Sequence, residues 1–214
     1  MLTGVRPDKP VTWALEDGKS PEEARAYLEE HYFVTPSRAA LALETGATAA
    51  KAARRLEKRD IDVYVGIPFC PTRCSYCSFV SSSVEKSMKL VPEYVEKLCE
   101  EIRYTGKIAA LCGLRLESVY FGGGTPTTLS AEQLVLLLKT VRDSFDLSYS
   151  QEFTVEAGRP DTITKAKLTA RRENGVTRIS INPQTLNDSV LAEIGRKHSA
   201  AQTLEAFRLA RECG

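Results

Sequence analysis

The chain has 214 residues, 43% of them hydrophobic and 27% charged, enough for a sizeable core in one domain or one domain with an appendage. Its 29 Lys and Arg nearly balance 28 Asp and Glu, for a net charge of +1, which argues against a broad basic surface for nucleic acid or anionic lipid. The opening MLTGVRPDKP lacks the apolar core of a secretory leader. The longest apolar run, residues 134–138, is far too short to cross a bilayer, so the expected compartment is the cytoplasm.

Residues 1–60 read as an N-terminal helical extension. In SPEEARAYLEEHY, Ser20 is placed as N-cap and Pro21 at the first helical position, with Glu23 closing a capping box. TPSRAALAL repeats the device with Thr35 and Pro36, and Gly46 is placed to divide that segment from ATAAKAARRLEKR. The basic run at 51–60 is diluted by Glu57 and Asp60 and reads as a solvated helix face.

The pattern changes at residue 61. IDVYVGI (61–67) is β-rich, ends at Pro68 and predicts a strand, followed by a thiol-rich loop. Val91, Tyr94, Val95, Leu98 and Ile102 then recur at helical spacing. LESVYF (116–121) is a second strand running into Gly122, Gly123 and Gly124, and Ser130 with Gln133 forms a capping box before the next helix. EFTVEA (152–157) is a third strand, TKAKLTARRENG a helix ended at Gly175, and VTRISIN (176–182) a fourth strand. Helical patterns at 188–194 and 200–212 complete the chain.

Alternating strands and helices call for parallel pairing with helical crossovers, an α/β fold whose sheet is open or bent into a barrel. In either case ligands gather at the carboxyl ends of the strands. The cysteine loop, the glycines, Glu156 and Gln184 each follow one of the four strands, so all are predicted to face one mouth.

Three of the six cysteines, Cys70, Cys74 and Cys77, form C-x3-C-x2-C in YVGIPFCPTRCSYCSF. In a reducing compartment such a cluster is metal-binding or catalytic rather than disulfide-forming. Structural zinc wants four ligands, usually as two pairs, yet no second pair exists and His31 and His198 are remote. A dithiol couple of Cys74 and Cys77 leaves Cys70 unexplained. Three thiolates on one loop suit an iron–sulfur cluster held at three irons, with one iron left open for chemistry. Cys99 and Cys213 fall in helical patterns and read as small buried hydrophobes.

The cysteine loop resembles the signature of the radical S-adenosylmethionine (SAM) superfamily. Together with YFGGGTPT, FTVEAGRPD and RISINPQTLND, it resembles the oxygen-independent coproporphyrinogen III dehydrogenase group within it. The opening LTGVRPDK further resembles the HemZ-type branch. The resemblance implies a partial (β/α) barrel over 61–214, incomplete after about four βα units, with C-terminal strands and a C-terminal domain missing. It implies that Cys70, Cys74 and Cys77 ligate a 4Fe-4S cluster, and that SAM chelates the open iron and is split to a 5′-deoxyadenosyl radical. Tyr64 and Tyr76 match SAM-contact positions, Tyr76 near the adenosyl group. Gly123, Gly124 and Thr125 match the segment that binds the SAM amine, where glycines let carbonyls approach a ligand. Glu156, Gln184 and Arg196 match further SAM contacts, Arg196 as a partner for the cofactor carboxylate. By themselves the glycines could equally make a tight turn, and Glu156, Gln184 and Arg196 could be solvated strand-end, turn and helix-end residues. His198 is expected to order the turn before the last helix, and no catalytic residue is assigned.

The implied reaction is oxidative decarboxylation of coproporphyrinogen III in heme synthesis, fed by an electron donor such as flavodoxin or ferredoxin. Two positions depart from the group's pattern: Phe79 stands where dehydrogenases carry a fourth cysteine, and Gly66 where they carry a histidine. Phe79 resembles relatives that carry heme, so a heme chaperone stays open beside the enzyme.

Overall fold

A computed structural model of the chain describes residues 6–214; of the opening LTGVRPDK, residues 2–5 lie outside the described residues. The chain divides into two compact units, Met1–Lys58 and Arg59–Gly214.

The first unit contains α1 (Lys9–Glu16), α2 (Pro21–Tyr32) and α3 (Pro36–Arg55). Val11, Ala14, Ala24, Leu28, Ala39 and Ala42 form its core. Ser20 caps α2 as expected: its hydroxyl accepts from the Glu23 amide at 3.1 Å, and the Glu23 carboxylate accepts from the Ser20 amide at 2.7 Å. Two local expectations fail. The Thr35 side chain makes no cap bond to the amides of α3 and pairs instead with the Ser37 hydroxyl at 3.5 Å. Gly46 does not break α3, which runs through it. A Cβ there would lie 2.8 Å from Val11 Cγ1, so the missing side chain lets α1 and α3 approach closely.

The second unit is built on four parallel strands, β1 (Asp60–Ile67), β4 (Arg115–Gly123), β5 (Glu152–Glu156) and β6 (Arg178–Ser180), in the order β1-β4-β5-β6. Between β1 and β4 lie the two-residue strands β2 (Phe69–Cys70) and β3 (Ser82–Ser83), then α4 (Val84–Ser87) and α5 (Val91–Leu111). Helix α6 (Ala131–Ser144) joins β4 to β5, and α7 (Lys165–Glu173) joins β5 to β6; α8 (Asp188–Glu193) and α9 (Ala200–Glu212) follow. This is the expected mixed α/β architecture with parallel strands and helical crossovers. The fourth strand is shorter than 176–182, because only Arg178, Ile179 and Ser180 find ladder partners, on β5.

Alternation divides the sheet into two chemically different faces. Val65 and Ile67 of β1, Val119 and Phe121 of β4, and Phe153 and Val155 of β5 point into one core with Leu98 and Ile102 of α5 and Leu134, Leu137 and Leu138 of α6. Helices α5 and α6 meet at Gly106, where a Cβ would lie 2.3 Å from the Ser144 carbonyl oxygen. Ser130 caps α6 with the expected box to Gln133. Cys99 is buried in this core, whereas Cys213 is only half-buried because it lies just past the end of α9. The opposite face carries Tyr64, Tyr120, Thr154 and Glu156.

Candidate functional site

The site is assembled at the carboxyl ends of β1, β4 and β5. β1 and β4 pair in register Tyr64↔Tyr120, Gly66↔Gly122 and Ile67↔Gly123. The chain then leaves β1 into the cysteine loop, whose two ends are joined by β2 and β3 through Phe69↔Ser82 and Cys70↔Ser83. The Ser82 amide also donates to the Pro68 carbonyl at 2.8 Å. Strands of two residues leave no periodic trace in a sequence, so this closure was not legible there.

Cys70 is buried and its sulfur lies 3.3 Å from the Thr125 hydroxyl, which ties the first thiol to the glycine loop. Cys74 and Cys77 are half-buried, and the Cys77 amide donates to the Cys74 carbonyl at 3.1 Å in a tight turn. All three thiols are free. Among the described residues no three His, Cys, Asp or Glu side chains converge on a single-ion site.

The glycine loop docks on the root of the cysteine loop. The Gly124 amide donates to the Ile67 carbonyl and the Thr125 amide to the Phe69 carbonyl, both at 2.8 Å. A Cβ at Gly124 would stand 2.7 Å from the Phe69 oxygen and 2.8 Å from the Ile67 oxygen; one at Gly122 would stand 2.7 Å from Tyr120 Cε1. Gly123 holds φ at +100°, which side-chain-bearing residues rarely adopt. The space vacated at Gly122 and Gly124 is thus occupied by protein. These glycines let two loops and a tyrosine pair close together.

On the polar face Tyr64 stacks on Tyr120, with ring centroids 5.8 Å apart and planes 9° from parallel. The Tyr120 hydroxyl donates to Glu156 Oε1 at 2.6 Å. Burial first, and then the Glu156 carboxylate, raises the phenol pKa of Tyr120 well above its ordinary value; the same two causes raise that of Tyr64. Both phenols stay protonated, and Tyr120 is a fixed donor that orients Glu156. Only the strand register reveals Tyr120, so the sequence did not single it out.

Arg196, buried to 8% exposure, binds three separate segments. Its Nε donates to the Tyr76 hydroxyl at 3.3 Å and its Nη1 to the carbonyls of Gly158 at 2.9 Å and Asn182 at 3.4 Å. Burial raises the Tyr76 pKa, and the hydrogen bond from Arg196 opposes that rise. The loop before α9 grips the cysteine loop twice more: the Thr72 hydroxyl donates to the Gly195 carbonyl at 2.9 Å, and the Ser75 amide to the Ile194 carbonyl at 3.1 Å. The side chain of Arg159, which sequence reasoning also passed over, reaches Thr72 from the loop after β5.

Gln184 is exposed, with φ at +60°, and no hydrogen bond joins its side chain to the other site residues among the described residues. The His198 side chain is fully buried just before α9, 3.8 Å from Asp161, and burial followed by the charge of Arg196 lowers its pKa.

A profile of the Radical SAM superfamily matches residues 64–214. The chain belongs to that superfamily. Within it, the chain falls in the HemN/HemZ-like group. It is 37% identical over 217 residues to the oxygen-independent coproporphyrinogen-III oxidase-like protein HemZ of Bacillus subtilis, covering 100% of this chain and 43% of that protein. The heme chaperone HemW of the same organism is 39% identical over 71% of this chain and 39% of its own length. The coproporphyrinogen III oxidase HemN of Escherichia coli, a radical SAM enzyme of known structure, superposes with a TM-score of 0.64 at 28% identity, over 78% of this chain and 38% of that one. The chain therefore spans about two fifths of the length of these relatives. Among the described residues no helix is long and apolar enough to cross a membrane.

Proposed function

We propose that this chain is the cluster- and SAM-binding portion of a cytoplasmic enzyme that oxidatively decarboxylates coproporphyrinogen III in heme biosynthesis. The observation that carries the reading is the placement of three free thiols, Cys70, Cys74 and Cys77, on one pinned loop at the carboxyl end of β1 in a parallel sheet. A four-iron cluster fits that donor set, since each thiolate serves a different iron and the thiols need not converge on one ion. When bound, the cluster supplies the electron that cleaves SAM to methionine and a 5′-deoxyadenosyl radical.

The residues around the loop have roles that follow from their chemistry. Cys70 lies against Thr125, which links the cysteine loop to the glycine loop. Gly123, Gly124 and Thr125 offer backbone to the SAM amine. Glu156, oriented by Tyr120, offers a carboxylate to polar groups of the cofactor. Tyr64 and Tyr76, both more than half exposed, present aromatic surface to it. Arg196 positions Tyr76 and offers charge for the SAM carboxylate, and Gln184, on the loop after β6, is assigned a further SAM contact. A reduced flavodoxin or ferredoxin would be the electron source.

A second reading, a heme chaperone that binds and transfers heme, is favoured by Phe79. Its ring is 58% exposed where a further thiol would stand in the dehydrogenases, and the similarity to HemW points the same way.

The test is anaerobic reconstitution of the full-length parent protein with iron and sulfide, followed by dithionite and SAM. Formation of 5′-deoxyadenosine is expected, and its absence defeats the enzyme reading. Vinyl products from added coproporphyrinogen III separate the dehydrogenase from a chaperone, which would bind heme stoichiometrically without turnover.

A further inference from the structure

A buried cation bonded to the cysteine loop forms no ion pair among the described residues. Arg159 is 2% exposed. Its Nη2 donates to both the carbonyl and the hydroxyl oxygen of Thr72, each at 2.6 Å, while Nη1 is buried with no hydrogen-bond partner among the described residues. Arg159 takes part in no ion pair among the described residues. A buried charge of this kind is retained where something compensates it.

Both ends of the contact are fixed. On the Arg159 side, the Thr162 hydroxyl and amide donate to the Arg159 carbonyl at 2.7 and 3.0 Å. Lys167 Nζ donates to the carbonyls of Thr127 and Thr162, and the two threonine hydroxyls meet at 2.6 Å. On the loop side, Thr72 accepts from Arg159 and donates to Gly195, which sets its hydroxyl in one orientation.

We propose that Arg159 is a positioning residue for the cysteine loop: it fixes Thr72, between Cys70 and Cys74, from beneath, and its charge balances the negative charge of a thiolate-bound cluster. The charge-balancing half rests on the cluster reading above; the loop-fixing half does not. Nothing in the chemistry of a solvated loop requires a buried guanidinium, whereas a loop that receives an anionic group gains from one placed beforehand.

Arg159→Met tests both halves. In the cluster-free chain, amide hydrogen exchange over residues 72–78 should accelerate about tenfold or more, because the Ser75–Ile194 bond depends on the held loop. Far-UV circular dichroism should not change. After anaerobic reconstitution and desalting, the variant should retain less than about half the iron of the unmodified chain, with Arg159→Lys between the two. Unchanged exchange together with unchanged iron overturns the proposal. If the unmodified chain takes up no cluster, the charge-balancing half falls with that reading and the exchange measurement alone decides the positioning half. Should Arg159→Met fail to fold, Arg159→Gln, too short to keep the bonds to Thr72, enters the same assays. Faster exchange of 72–78 is expected there, and full protection in a folded Arg159→Gln chain overturns the assignment.

Discussion

Replacing Gly124 by alanine is the sharpest test of how the site is held together. A Cβ at this position meets three backbone atoms, at 2.7 Å from the Phe69 oxygen, 2.8 Å from the Ile67 oxygen and 2.9 Å from the Phe69 nitrogen. None is the end of a flexible side chain, so relief requires the glycine loop to move away from the root of the cysteine loop. That motion stretches two hydrogen bonds of 2.8 Å, Gly124 to Ile67 and Thr125 to Phe69. Overpacking a close-packed site costs ~1–3 kcal/mol, and each weakened bond adds ~1 kcal/mol, giving a loss of about 4 kcal/mol. Urea titration followed by far-UV circular dichroism measures it. The tryptophan Trp13 belongs to the helical unit and so reports that unit separately. Gly66→Ala is the control, since a Cβ there meets nothing nearer than Tyr64 Cε1 at 3.7 Å; stability should hold or rise by ~0.5 kcal/mol. A Gly124→Ala midpoint matching that of Gly66→Ala would refute the reasoning.

Other outcomes follow from the same geometry. Cys74→Ser should abolish the visible absorbance of the reconstituted cluster, and survival of that absorbance would mean the ligands are misassigned. Gly106→Ala should lower stability by roughly 2 kcal/mol in the same titration, because its Cβ would stand 2.3 Å from the Ser144 oxygen and force α5 from α6. Ser130→Ala removes the hydroxyl that accepts from the Gln133 amide and should cost about 1 kcal/mol. His198 gives a pH signature. Its folded pKa is lowered by burial and by Arg196, with Asp161 opposing, so the unfolded chain takes up the proton first as pH falls below about 6.5. Stability should therefore drop from pH 7.5 to 5.5, and His198→Leu should flatten that drop; equal slopes for both proteins would exclude the histidine as its source.

Much of the architecture was legible because it is local. Short β-rich runs marked β1, β4 and β5, and the two capping boxes at Ser20 and Ser130 stand where S-x-x-E and S-x-x-Q place them. The failures were also local patterns, overruled by contacts. Gly46 looks like a helix break but serves the approach of Val11, and Thr35 looks like a cap but bonds Ser37. The fourth strand shortened because pairing with β5 supports only Arg178–Ser180.

The amino-acid sequence by itself determined the chemistry on offer. Three thiols at C-x3-C-x2-C spacing, glycines at the end of β4 and a carboxylate at the end of β5 are statements about residue type and short separation, and these survive any packing. Only the tertiary structure decided how those groups are held. It stacks Tyr64 on Tyr120 and gives Tyr120 to Glu156, places Arg159 under Thr72, and assigns Gly122 and Gly124 to contacts within the protein. Those partners lie tens of residues apart. They meet through strand register and loop docking, which depend on the whole parallel sheet.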